Sequence, residues 1–439
     1  MLKRFLLVWL TAGLLLCIPI ISLAGPQEDY EEAYKLYLTA GASAAAYSGR
    51  LGELANRYLE QDGWQIDHYR QAQGRTGARY LVARKAGVPY YLVAIVGTET
   101  KRDIKTDLKV SKVYFAGSNP AEFAANAAKK NIPNTEPKVH QGFNEFVQAG
   151  PLAVLHNPRQ VSLSLPDLLR ADQTRKLLLT GHSLGGAAAT LAGARLLSSG
   201  VGPDQLEVIT FGAPAVGNTA FAAKYEPSLP LTRIVHAGDP ITGVLQTLVG
   251  GYRQFGREIK WKPGATVRDA HQLTGYIDSA LKNYYDKRRL AVEAGIQLPA
   301  QPAKKQTDHT QRVYILPLAN QLPANLAAEF WYMQEALQDV YQNTLAEYVT
   351  ADTQTEDWQQ AALAAGCRWA IVSEVSASLV KEQKNTYYVT VHQTIYDTQT
   401  GAVASTAVFS TGTYSLTPLE AFVHAFRGIS DQLNSVMAQ

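Results

Sequence analysis

The sequence predicts a two-part chain, an α/β unit built on a mixed sheet with helices on both faces and then a smaller α+β domain. Three observations predict it. Short runs that are apolar on both faces, such as Leu177-Leu178-Leu179 and Val208-Ile209, read as central strands of a sheet covered on both sides. Helix-prone stretches lie between several of these runs. A segment of Ala, Gln, Pro and Lys across residues 285–311, including Leu298-Pro299-Ala300-Gln301-Pro302, then separates them from a second set of strands and helices. The 439 residues also exceed what one hydrophobic core usually organises.

In chain order, Lys3 and Arg4, an apolar run over 5–23 and Ser22-Leu23-Ala24 read as an export signal cut after Ala24. The competing reading is an uncleaved anchor, because the run is near the shortest length able to span a bilayer. Cys17 lies inside this run, so the mature chain keeps Cys367 alone and has no internal disulfide. The expected location is exported: periplasmic, cell-surface or secreted.

Leu36, Ala40, Ala44 and Tyr47 are spaced for a helix over 30–59. Strands are expected at 64–69, 79–84 and 90–96, the last two joined at Lys85-Ala86-Gly87-Val88-Pro89, whose Gly and Pro favour a hairpin. Further strands are expected at 177–180, 207–211, 231–235 and 252–261, with helical segments between several of them, so a mixed sheet is expected that is antiparallel near its start. The resulting division is 25–290 for the first unit, 291–311 for the linker and 312–439 for the second domain. In that domain strands are expected at 313–318, 370–375, 387–396 and 402–409, with helices at 325–348, 358–365 and 419–437.

Lys plus Arg total 41 against 38 Asp plus Glu, a net charge of +3 without any long basic block. That argues against nucleic acid as the main partner, since phosphate binding needs clustered cations.

The chemistry begins at Gly181-His182-Ser183-Leu184-Gly185-Gly186, between an expected strand and a helix-prone stretch. A nucleophilic serine on so sharp a turn needs small neighbours, and the following helix offers N–H groups and a positive dipole end to a tetrahedral intermediate. Its base and acid should follow in the order Ser, acid, His. Asp239 lies just after the strand at 231–235, in Gly238-Asp239-Pro240, and His271 comes later still. Asp239 could instead be a turn former, and Asp269 and Asp278 compete with it as the acid. His140, His182 and His236 stand in the wrong order and suit structural hydrogen bonding. The oxyanion donors are expected at the N–H of Leu184 and on the loop Gly97-Thr98-Glu99, where Thr98 can add its hydroxyl; an ordinary strand-end turn is the alternative there. Such a triad needs no metal or organic cofactor, and no His, Cys and acid cluster shows ligand spacing.

Several separated segments share one pattern: Val96-Gly97-Thr98 with Asp107-Leu108, Val139-His140-Gln141-Gly142-Phe143, the run 181–186, Thr210-Phe211-Gly212-Ala213-Pro214 through Asn218, Arg233-Ile234-Val235 ahead of Asp239-Pro240, and His271. Together they resemble the fungal-type, or class 3, lipases of the α/β-hydrolase fold. The resemblance implies a serine esterase acting on acylglycerols, phospholipids or smaller esters. Its triad would be Ser183, Asp239 and His271, with oxyanion donors Thr98 and Leu184. In many such lipases an apolar lid follows the oxyanion loop, whereas residues 99–107 here are strongly polar, which argues against marked interfacial activation. Ala365-Gly366-Cys367-Arg368-Trp369 and Tyr396-Asp397-Thr398-Gln399-Thr400-Gly401 resemble the small domain at the front of periplasmic TolB proteins, which implies an envelope protein partner for 312–439. The rival reading is a catalytically silent hydrolase scaffold that binds through this domain. Acyl transfer to an alcohol or lipid acceptor is a second enzyme reading.

Overall fold

Seven strands, the central ones apolar along their length, pair into one sheet that carries the first unit. A computed structural model describes residues 25–47, 52, 55, 56, 59, 60, 62–71, 78–97, 111–148, 165–298, 311–354, 357–381, 383 and 385–438. Residues 1–24, where the export signal is expected, Thr98 and the polar segment 99–107 lie outside the described residues. The strands are β1 (Gln65–Gln71), β2 (Ala78–Arg84) and β3 (Tyr90–Ile95), a short hairpin of β4 (Lys112–Tyr114) and β5 (Lys138–His140) set apart from the sheet, then β6 (Lys176–His182), β7 (Leu206–Phe211), β8 (Leu231–His236) and β9 (Arg257–Trp261). The sheet runs β1-β2-β3-β6-β7-β8-β9, with β1, β2 and β3 antiparallel and every later pair parallel.

Helices cover both faces because the central strands are apolar on both. On one face α2 (Leu184–Ser198) packs against Val93, Leu179 and Val208; on the other, α1 (Pro26–Ala45) and α3 (Leu273–Glu293) pack against Leu92, Leu178 and Ile209. Helix α2 is the crossover between the parallel strands β6 and β7, while α1 precedes the sheet in the chain and α3 follows it. Sheet order and strand-turn-helix geometry at Ser183 are those of an α/β-hydrolase.

Beyond it, β10 (Val313–Ile315), β11 (Ala319–Gln321), β12 (Tyr348–Thr350), β13 (Trp369–Leu379), β14 (Tyr387–Asp397) and β15 (Val403–Gly412) form a second mixed sheet. One face is covered by α4 (Phe330–Thr344), α6 (Pro418–Val423) and α7 (Phe426–Met437), while α5 (Trp358–Ala364) sits on part of the other.

Several boundaries differ from the sequence expectation. The first helix stops at Ala45, just before the helix-poor Tyr47, Ser48 and Gly49. The strand expected from 252 starts at Arg257, because Gly256 turns the chain at φ +77° beneath Leu231. The helix expected over 325–348 begins as a 3-10 turn, becomes helical at Phe330 and ends at Thr344, after which Tyr348–Thr350 pairs with β10. The last helix breaks at His424-Ala425, where the Ala425 N–H donates to Phe422 and lets the Phe422 and Phe426 rings meet edge-on at 5.5 Å. Helix α3 runs through the change of composition at 285 and past the expected linker start at 291 to Glu293, because Leu281, Tyr284, Tyr285 and Ala291 are buried.

Candidate active site

Strand β6 ends directly in the turn that carries Ser183. Ser183 adopts φ +56° and ψ −125°, a strained conformation for a residue with a side chain, and immediately precedes α2. Small neighbours make the turn possible. A Cβ on Gly185 would lie 2.1 Å from the Ile95 carbonyl oxygen and 2.9 Å from the Gly97 nitrogen. The end of β3 is therefore pressed against the start of α2, and the Ser183 N–H is anchored on the Phe211 carbonyl at 2.9 Å.

The loop after β8 supplies Asp239 and the loop after β9 supplies His271. The Ser183 hydroxyl lies 2.9 Å from His271 Nε2, and His271 Nδ1 lies 3.0 and 2.9 Å from the two Asp239 carboxylate oxygens. With the proton on Nδ1, the imidazole donates to the carboxylate and accepts from the serine. Asp239 has no exposed side-chain surface. Its Oδ1 also accepts from the Ile241 N–H at 2.8 Å, and its Oδ2 from the Tyr276 hydroxyl at 2.7 Å. Such a set of donors keeps a buried carboxylate paired, as its desolvation demands.

The competing acids go elsewhere. Asp269 accepts the His271 backbone N–H at 3.0 Å, and Asp278 pairs with Lys282 at 2.8 Å. Nor do the other histidines join the chain. His182 donates Nε2–H to the His271 carbonyl at 2.8 Å, and burial pushes its imidazole down to about 3. His236 donates to the Ala270 carbonyl at 3.0 Å and stacks on Tyr276 with centroids 3.8 Å apart; burial lowers its basicity too. His140 stacks on Phe143, and burial brings it down to about 4.

Residues 92–248 match the family model for lipase (class 3). That class 3 lipase match contains Ser183 and Asp239 and stops before His271, whose position rests on the geometry above. A lipase of Rhizopus niveus is 34% identical over 143 residues, covering 31% of this chain and 35% of its own. A chloroplastic phospholipase A(1) of Arabidopsis thaliana is 35% identical over 121 residues, covering 27% of this chain and 26% of its own. The chain thus spans about a third or less of the length of these relatives. The crystal structure of a lipase from Rhizopus microsporus var. chinensis aligns with 26% identity and a TM-score of 0.39, covering 53% of this chain and 76% of that one.

Two members of the class 3 lipase-like site escape sequence reasoning. Tyr276 is a helix residue whose spacing merely says buried, yet its hydroxyl donates to Asp239 and accepts the His236 N–H at 2.9 Å. Burial and the neighbouring carboxylate push its phenol far up, so it stays a donor. Gly212, at φ +59°, occupies the place where a Cβ would lie 2.9 Å from Asp239 Oδ2 and 3.2 Å from His271 Nδ1. Its advance signals are its position one residue past β7 and its place in the segment Thr210-Phe211-Gly212-Ala213-Pro214 of the family resemblance, neither of which tells its role. Leu184 is the first residue of α2, where N–H groups lack intrahelical acceptors; Thr98 lies outside the described residues, next to Gly97. Among the described residues no group of three or more His, Cys, Asp or Glu is arranged to hold a metal ion, and no helix is long and apolar enough to cross a membrane.

Proposed function

We propose that the protein is an exported serine hydrolase that cleaves carboxylic esters of lipids through an acyl-enzyme. The observation that carries this reading is the unbroken hydrogen-bonded chain from Ser183 through His271 to Asp239. Ser183 Oγ attacks the ester carbonyl while His271 Nε2 takes its proton, and the C–O bond to the alcohol breaks as the imidazolium returns that proton to the leaving oxygen. Water then repeats the sequence on the acyl-serine and releases the carboxylic acid. Asp239 stabilises the imidazolium in each half-reaction. The N–H of Leu184 and the Thr98 residue are the proposed oxyanion donors, aided by the positive end of α2.

The names of the matched relatives, lipase and phospholipase A(1), support lipid esters as the substrate class. The polar segment 99–107 favours substrates presented without strong interfacial activation. Cleavage of the leader after Ala24 and an envelope protein partner for residues 312–439 complete the proposal. The test is a panel of acylglycerols, phospholipids and short and long acyl esters, with fluorophosphonate labelling of the mature protein. Ser183→Ala should abolish labelling and turnover; unchanged turnover in that variant refutes the reading.

A further inference from the structure

We propose that the C-terminal α+β unit is a positioning element for the base: it clamps the loop and helix that carry His271. The proposal rests on the reading of His271 as base. His271 stands in the irregular stretch between the end of β9 at Trp261 and the start of α3 at Leu273. A group on such a stretch holds its geometry only as well as its supports do. The hydrolase unit supplies the His182 and Asp269 contacts described above. It also supplies His236, which holds the Ala270 carbonyl beside the base, and further contacts come from residues 118 to 143 positions downstream.

Those contacts bracket His271 on both sides. Before it, the Arg268 guanidinium donates to the Thr386 hydroxyl. Directly after it, the Gln272 amide donates to the Ser415 carbonyl at 3.4 Å. In the second turn of α3, Asp278, only 1% exposed, accepts from the Thr417 hydroxyl at 2.8 Å. Its other oxygen pairs with Lys282 at 2.8 Å, and Lys282 reaches on to Glu329 at 2.9 Å.

The clamp is itself one anchored piece. The Tyr387 N–H donates to the Thr413 hydroxyl at 2.9 Å and the Thr413 N–H returns to the Tyr387 carbonyl at 2.8 Å, which ties the segment holding Ser415 and Thr417 to the start of β14 beside Thr386. Helix α3 cannot drift from it, since Leu281, Tyr284 and Tyr285 belong to the apolar core of the second sheet. Misplacing a catalytic group by about 1 Å costs about 100-fold in rate. The second unit therefore does for the base what a fixed secondary element does for Ser183.

The test uses the full mature chain and compares Thr386→Val with Thr417→Val, singly and together, with Thr417→Ser as the variant that keeps the hydroxyl and its cap on α6. The readouts are kcat and KM on a soluble p-nitrophenyl ester per site titrated with fluorophosphonate, and the thermal midpoint. The double Val variant should lose about tenfold in kcat with KM unchanged, and Thr417→Ser should behave as wild type. A wild-type kcat per labelled site in the double variant overturns the proposal whatever happens to the midpoint, as does a rise in KM at constant kcat. Wild-type protein that neither labels nor hydrolyses esters refutes the catalytic reading itself, and this proposal with it.

Discussion

Acidification should begin to destabilise this protein above the pH at which its carboxylates protonate, because buried histidines refuse the proton. His182 is held down to about 3, first by burial and then by the facing His271, with Asp239 and His236 also nearby. His140 is held down to about 4 by burial, with Glu145 and Lys112 facing it. Unfolded, both titrate at about 6.5. Between the folded and unfolded values the unfolded chain binds more protons, so stability is full above about pH 6.5 and is lost as pH falls. At pH 4.5, two units below the unfolded value, each histidine costs about 2.7 kcal/mol, from 2 × 1.36, or about 5 kcal/mol for the pair. Native proteins have only about 5–15 kcal/mol in total. His236, lowered by burial, acts in the same direction.

The assay is urea unfolding at pH 7.5, 6.5, 5.5 and 4.5. From pH 6.5 to 5.5, above the carboxylate range, the unfolding free energy should fall by about 2 kcal/mol. The double variant His140→Gln, His182→Gln should flatten that interval. A wild-type curve that is flat from 7.5 to 5.5, or an equal slope in the double variant, refutes the reasoning.

Two further predictions concern the acid. Asp239→Asn should keep the fold while presenting His271 with an amide that stabilises the wrong tautomer, and kcat should drop by about 10⁴; steady-state kinetics at pH 7.5 check it, and a loss under tenfold would count against Asp239 as the acid. Gly212→Ala should strain the backbone at φ +59° and push a methyl to within 2.9 Å of Asp239 Oδ2. Both fluorophosphonate labelling rate and thermal midpoint should fall, and wild-type values for both would show that the position has room to spare.

Legibility followed the range of the forces involved. The nucleophile turn was readable at Gly181-His182-Ser183-Leu184-Gly185 because its requirements are local: a strand end, a helix start and residues without bulk. Hairpin Lys85–Pro89 was equally readable, and Gly87 turns it at φ +76°. Boundaries were less so. Residues 285–293 read as linker by composition, since Lys, Arg and Ala suit a solvated helix as well as a loop; what favours helix is the packing of α3 against the second sheet, whose core takes in Tyr284 and Tyr285. The expected helix ran on to Tyr348 and the strand Tyr348–Thr350 was missed, because only a partner strand, β10, gives that edge its pairing.

The sequence by itself determined the strand run, the order of Ser183, Asp239 and His271 and the strained turn, all of which are written in residue types and their spacing. Only the tertiary structure decided that Tyr276 supports the acid, that Gly212 leaves the space where acid and base meet, and that Thr386, Ser415 and Thr417 hold the loop of His271. The physical reason is that hydrogen bonds and excluded volume act over about 3 Å in space, whereas these partners are separated along the chain by 27 residues, from Gly212 to Asp239, up to 143 residues, a separation that no local pattern encodes.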